Sequence, residues 1–147
     1  MPWKGLLSFT VHPDDIKGKE LLKTQGKFYV GDPAIIYAVL GYRDRMIAGV
    51  LENIVLLELK RKGYEVYVGK LGDKEIDFIA EKPGSRIYVQ VAYKLEQEST
   101  IDREFEPLLA INDHHPKYVV TMDELWKESV AGVKHMYISD FLLMENF

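Results

Sequence analysis

The sequence predicts an α/β domain with a mixed sheet and helices on both faces. Three observations lead there. Strand-like and helix-like stretches alternate along most of the chain, a β-hairpin stands inside that alternation around Pro83-Gly84, and a long apolar helix with a marked end comes before it. Alternation gives crossover connections and parallel neighbours, the hairpin adds an antiparallel pair, and the crossover helices cover the faces.

The first fifteen residues show little periodicity and read as a lead-in, so one domain is expected over residues 16–147. "IKGKELLKT" has no clear period. "GKFYVGD" is a short strand ending in a turn, and "PAIIYAVLG" is a short helix opened by Pro33 and stopped by Gly41. "DRMIAGVLENIVLLELKRKG" reads as a helix from about Asp44 to Lys62, with Lys60, Arg61 and Lys62 in its last turn and Gly63 after it. "YEVYVGK" is a strand, Leu71-Gly72-Asp73 a turn, and "KEIDFIAEKPGSRIYVQVAYK" the hairpin. Ser99 and Thr100 offer N-caps to a helix through "IDREFEPLLAIND", with Asp102 placed as in a capping box. "PKYVVTMD" is then a strand, "ELWKES" a short helix, "KHMYI" a strand and "SDFLLMEN" a capped terminal helix.

Composition narrows the function classes. With 147 residues, 47% hydrophobic and 29% charged, the chain can bury a core of its own. It has no cysteine, which excludes disulfides and thiolate metal sites. No apolar run approaches the roughly 20 residues of a membrane span, and the N-terminus lacks the pattern of a secretory signal. A cytoplasmic protein without a membrane partner is expected. The net charge of −4 gives no global attraction to nucleic acid. The local clusters Lys60-Arg61-Lys62 and Lys17, Lys19, Lys23, Lys27 read as solvated faces.

Each arm of the hairpin carries a polar residue among apolar ones, Asp77 in the first and Gln90 in the second. The two are equally distant from Pro83-Gly84, so a symmetric register makes them cross-strand neighbours; a one-residue bulge would change the pairing. Alternation puts Ile76, Phe78 and Ala80 on one face with Ile87, Val89, Val91 and Tyr93. Glu75, Asp77 and Ile79 fall on the other with Tyr88, Gln90, Ala92 and Lys94. That second face is either a solvated edge or the wall of a site. Glu52 stands on the apolar stripe of the long helix, where a carboxylate needs a partner or reaches solvent at the stripe's edge; Glu58 is explained by a surface pair with Arg61 and Lys62.

Two carboxylates and an amide oxygen, from a helix and two adjacent strands, are the donor set of a hard cation such as Mg²⁺ or Mn²⁺. Such an ion polarises a phosphoryl oxygen and activates water for phosphodiester cleavage. A lysine nearby, here Lys94, supplies positive charge for the transition state.

These residues carry a resemblance. "GVLENIVLLELKRKGYEVYVGKLGDKEIDFIAEKPGSRIYVQVAYKL", followed by "TIDREFEPLLAINDHHPKYVVTMDE", resembles the domain that closes many bacterial and archaeal AAA-type ATPases of unassigned role. That domain belongs to the PD-(D/E)XK, or restriction-endonuclease-like, nuclease superfamily. The resemblance runs from about Ile16 onward and implies a three-layer restriction-endonuclease-like domain. It implies Glu52 as the helix acid, Asp77 as the first-strand acid, and Gln90-Val91-Ala92 at the (D/E)XK tripeptide. Gln90 replaces the second acid and Ala92 replaces the lysine. Lys94 stands further along as a substitute, with Arg103 a weaker one. No G-x-x-x-x-G-K-[ST] loop occurs, so the chain is not the ATPase portion itself.

Three functions follow as expectations. The first is a diverged nuclease-like domain with weak or no cleavage, acting in nucleic-acid binding or ATPase regulation. The second is an active Mg²⁺-dependent DNase using Glu52, Asp77, Gln90 and Lys94. The third is a protein–protein module without a nucleic-acid role. His114-His115, His12 and His135 have no ligand-like spacing, and Tyr64, Tyr67, Tyr88 and Tyr118 are expected to pack in the sheet.

Overall fold

Strands with continuous apolar runs lie in the middle of the sheet, and helices with apolar stripes cover them from both sides. The computed structural model of the chain describes residues 8–15, 26–95, 98–124 and 129–147. In chain order these give β1 (Ser8–Val11), β2 (Pro13–Asp15), β3 (Lys27–Val30) and α1 (Ala34–Leu40). A 3₁₀ turn at Asp44–Met46 leads into α2 (Ile47–Arg61), which is followed by β4 (Glu65–Leu71), β5 (Lys74–Lys82) and β6 (Ser85–Val91). The rest comprises α3 (Glu98–Leu109), β7 (Lys117–Thr121), β8 (Ser129–Val130), β9 (Val133–Tyr137) and α4 (Ile138–Leu143).

Among the described residues the main sheet has seven strands in the order β2-β4-β5-β6-β7-β9-β8. It is mixed, as expected: β4-β5-β6 is an antiparallel meander, while β6-β7-β9 and β2-β4 are parallel. β1 and β3 form a separate antiparallel ribbon, with Ser8 opposite Val30 and Val11 opposite Lys27.

The central strands bury every residue of Phe78-Ile79-Ala80, Ile87-Tyr88-Val89 and Tyr118-Val119-Val120, as a sheet covered on both faces requires. Alternation then divides them. Phe78, Ala80, Ile87, Val89, Tyr118 and Val120 pack against Val55, Leu56 and Leu59 of α2 and Phe141 of α4. Ile79, Tyr88 and Val119 pack against Phe105 and Leu108 of α3. Burying each large side chain contributes about 1.5–3 kcal/mol, so these two layers hold the domain together. No helix among the described residues is long and apolar enough to cross a membrane.

Several expectations are corrected. Ile76 does not share the face of Phe78 but packs with Ile79 and Tyr88 on the α3 side. Tyr67 faces Ile79 and Gly69 faces Ile76, so Asp77 and Phe78 together stand against Val68 alone. This β-bulge in β5 reverses the alternation below it. The segment read as a lead-in supplies β1 and β2, because its order comes from pairing with β3 and β4 rather than from its own periodicity. α3 begins at Glu98 and closes at Leu109, so Ser99 and Thr100 lie in its first turn and are not caps. α4 likewise starts at Ile138 without a side-chain cap, with Ser139 inside it. The helix expected over "ELWKES" falls mostly on residues 125–128, outside the described residues, as do Lys17, Lys19, Lys23, Trp3 and Trp126.

Candidate functional site

The hairpin turns on Pro83-Gly84, with Gly84 at φ +78° in the left-handed region that glycine tolerates. Its ladder runs from Lys82 opposite Ser85 to Phe78 opposite Val89. In that register the next couple is Asp77 and Gln90, and there side chains replace the backbone ladder. The Asp77 N–H donates to Gln90 Oε1 at 3.1 Å, and the Val91 N–H donates to Asp77 Oδ2 at 2.8 Å. The β5–β6 ladder stops at Phe78 and Val89, and a backbone N–H leaving a ladder inside a sheet must find another acceptor. Asp77 and Gln90 therefore stand opposite each other as the symmetric register predicts, each accepting a backbone N–H of the other strand. They do not share a face as expected: the bulge turns the Asp77 carboxyl to Lys27 on the α2 side, while Gln90 reaches Glu104 of α3. The Gln90 Nε2 continues outward and donates to Glu104 Oε2 of α3 at 3.1 Å. Glu104 is also gripped by Arg103, through Nε at 3.0 Å and Nη2 at 2.8 Å.

On the opposite face Glu52 has the partners its place on an apolar stripe demands. The Tyr29 hydroxyl donates to Glu52 Oε1, and Lys27 Nζ lies 3.2 Å from the same oxygen. That ammonium also reaches Glu75 Oε1 at 2.7 Å and Asp77 Oδ1 at 3.4 Å. Lys27 and Tyr29 alternate along β3, so both point at α2. β3 is held there by Asn53, the neighbour of Glu52. The Val30 N–H donates to Asn53 Oδ1 and Asn53 Nδ2 donates to the Val30 carbonyl, both at 2.8 Å. The helix acid and the strand acid thus converge on one lysine.

The electrostatics follow from this crowding. Burial and the neighbouring Glu52 charge push the Asp77 carboxyl up to about 7, against the opposing pull of Lys27 and the Val91 N–H. For Lys27, burial works to lower the ammonium, but the hydrogen bond to Glu75 and the charges of Asp77 and Glu52 outweigh it and hold it above its ordinary value. Burial and then the bond to Glu52 raise the Tyr29 hydroxyl.

Lys94 is placed differently from the expectation. β6 ends at Val91, and Lys94 sits in the exposed loop beyond it, its Nζ 5.5 Å from the centre of the Tyr93 ring. It lines a cavity of ≈ 610 Å³ with Ala48, Thr100, Arg103 and Glu104. Ala92, where the superfamily pattern has its lysine, is buried and packs into the α3-side core. Glu58, read as a surface residue, is buried, although its partners are the expected ones: Arg61 donates to it twice at 2.7 Å and Lys62 lies at 3.5 Å. Those pairs occupy two members of the Lys60-Arg61-Lys62 cluster.

Sequence reasoning missed Lys27, Tyr29, Asn53, Glu75 and Glu104 as site residues. The available signals were the alternation of Lys27 and Tyr29 on one short strand and a second polar residue, Asn53, beside Glu52 on an apolar helix. As placed, these residues do not fit a hard divalent ion. An ammonium already lies among Glu52, Glu75 and Asp77, and the Gln90 oxygen is engaged by the Asp77 N–H. Among the described residues no group of three or more histidine or acidic side chains is arranged to hold a metal, which needs several oxygens converging at about 2.0–2.6 Å.

No protein-family model and no solved structure matches the chain. The chain is similar to a Haemophilus influenzae protein described as uncharacterized, with 40% identity over 129 residues. Those residues make up 88% of this chain and 32% of that protein, so the chain spans about a third of the relative's length.

Proposed function

We propose that the chain is a restriction-endonuclease-like, PD-(D/E)XK-type domain that has diverged to weak or absent cleavage and serves, in the cytoplasm, in nucleic-acid binding or in regulating an AAA-type ATPase. The mixed sheet with helices on both faces and the convergence of Glu52 on α2 with Asp77 on β5 support the nuclease-like part. The observation that carries the divergence is Lys27. Its ammonium neutralises the carboxylates that a cleaving enzyme of this kind would turn toward a metal. Gln90 and Ala92 point the same way, one committed to a backbone N–H and the other to the core. Lys94 and Arg103 line one cavity at the end of β6, which suits contact with phosphate oxygens. The Haemophilus relative is about three times as long as the part this chain covers.

The test is a cleavage assay on single- and double-stranded DNA and on RNA with Mg²⁺ or Mn²⁺, run beside filter binding across a salt series. The expected result is no cleavage, with binding that weakens as salt rises. Metal-dependent cutting abolished by Asp77→Ala overturns the divergence and leaves the active DNase reading with Glu52, Asp77, Gln90 and Lys94. Absence of binding at low salt with divalent metal present favours a protein–protein module without a nucleic-acid role.

A further inference from the structure

We propose that Lys27 is a built-in counter-ion that competes with divalent cations for the Glu52, Glu75 and Asp77 carboxylates. A lysine ammonium carries three N–H donors, and here it lies within 3.4 Å of three different carboxylates, one from α2 and two from β5. A divalent ion binding the same acids would need those oxygens at shorter range and would face the ammonium's like charge across a few ångströms. Both cations cannot hold the cluster together.

The arrangement favours the tethered cation. Lys27 is delivered by β3, whose position is fixed by two reciprocal hydrogen bonds between Asn53 and Val30 and by the Tyr29 hydroxyl on Glu52. Tyr29 also packs its ring 5.7 Å from that of Phe78. The ammonium is therefore preorganised, whereas an ion from solution must shed water and expel it. Replacing the lysine by an uncharged side chain leaves two acids on one strand and a third on the facing helix without their shared cation. Lys70, 3.6 Å from Glu75, and the Tyr29 hydroxyl on Glu52 remain, so the three acids lack one positive charge, which a divalent cation is then free to supply. The inference rests on the diverged-nuclease reading only for the idea that the cluster descends from a metal centre; the competition itself follows from the geometry.

The experiment is Mn²⁺ titration of the full chain, followed by loss of the free-ion paramagnetic resonance signal, on wild type, Lys27→Arg, Lys27→Met and Lys27→Met/Asp77→Asn. Wild type and Lys27→Arg should bind weakly. Lys27→Met should bind one Mn²⁺ at least tenfold more tightly, and the double variant should lose that gain. Equal affinity for wild type and Lys27→Met overturns the inference, as does a gain that survives Asp77→Asn. Where melting curves show Lys27→Met unfolded, Lys27→Gln is judged by the same criterion. A wild type that binds one Mn²⁺ as tightly as Lys27→Met overturns it. Nucleic-acid cleavage by the wild type sinks the proposed function through a different readout, so the two failures are separable.

Discussion

The Asp77 carboxyl, pushed up to about 7 by burial and by Glu52, makes the stability of the fold depend on pH in an unusual direction. Unfolded, the group titrates near 4. Between those values the folded chain holds the proton and the unfolded chain does not. Stability contributed by this residue is therefore complete below about pH 4 and is lost as pH rises to about 7, by up to ~4 kcal/mol. Asp77→Asn keeps an acceptor for the Val91 N–H and removes the titration. Its stability relative to wild type, from urea unfolding at several pH values, should rise from pH 4 to 7 and level off above. A constant difference would show that the carboxyl is not held protonated. Glu75 and Asp113 act oppositely: despite burial, Lys27 holds Glu75 below the usual range, and bonds from Tyr88 and Lys117 do the same for Asp113. Their stabilisation is lost as pH falls through the carboxylate range, so the comparison with the variant isolates Asp77. That Asp77 and Gln90 would stand opposite each other was legible because a two-residue turn sets its own register. That Lys27 would join them was not, since 25 and 50 residues separate it from Glu52 and Asp77.

At the scale of elements, the close approach of β4 and β5 beside the bulge depends on Gly69, which faces Ile76. A Cβ on Gly69 would stand 2.9 Å from Ile76 Cβ and 3.1 Å from Ile79 Cγ1, closer than packed carbons allow. Gly69→Ala should destabilise the domain by about 1–3 kcal/mol, measured by chemical denaturation. An unchanged midpoint would mean the strand yields there without cost. Asn53→Ala removes both bonds that hold Val30, and a loss of about 1–3 kcal/mol is expected. The change should also weaken the seating of Lys27, so Mn²⁺ affinity should rise slightly. Strand and helix order was legible from period and turn residues, as with Gly63 after α2 and Pro83-Gly84 in the hairpin. The bulge was not, because it is a property of β4 and β5 together: nothing within "KEIDFIA" shows that two of its residues will face Val68 alone. Helix starts also misled, since Ser99 and Ser139 have capping chemistry yet lie inside their first turns.

For the whole molecule, a mixed sheet covered on both faces was legible because apolar runs such as "RIYVQV" alternate with amphipathic helices. The ribbon was not, because β1 is ordered by pairing with residues far along the chain. Lys27 and Tyr29, which compensate the acidic centre, belong to that ribbon and not to the main sheet. Two-stranded ribbons have little stability of their own, whereas β5 and β6 are locked between two cores. Amide hydrogen exchange under native conditions should therefore release Tyr29 and Val30 well before Phe78 and Val89. Equal protection would make ribbon and sheet one cooperative unit. Unequal protection means the acids can shed their lysine in a local opening that leaves the sheet intact, so the charge of the centre has its own clock, faster than unfolding.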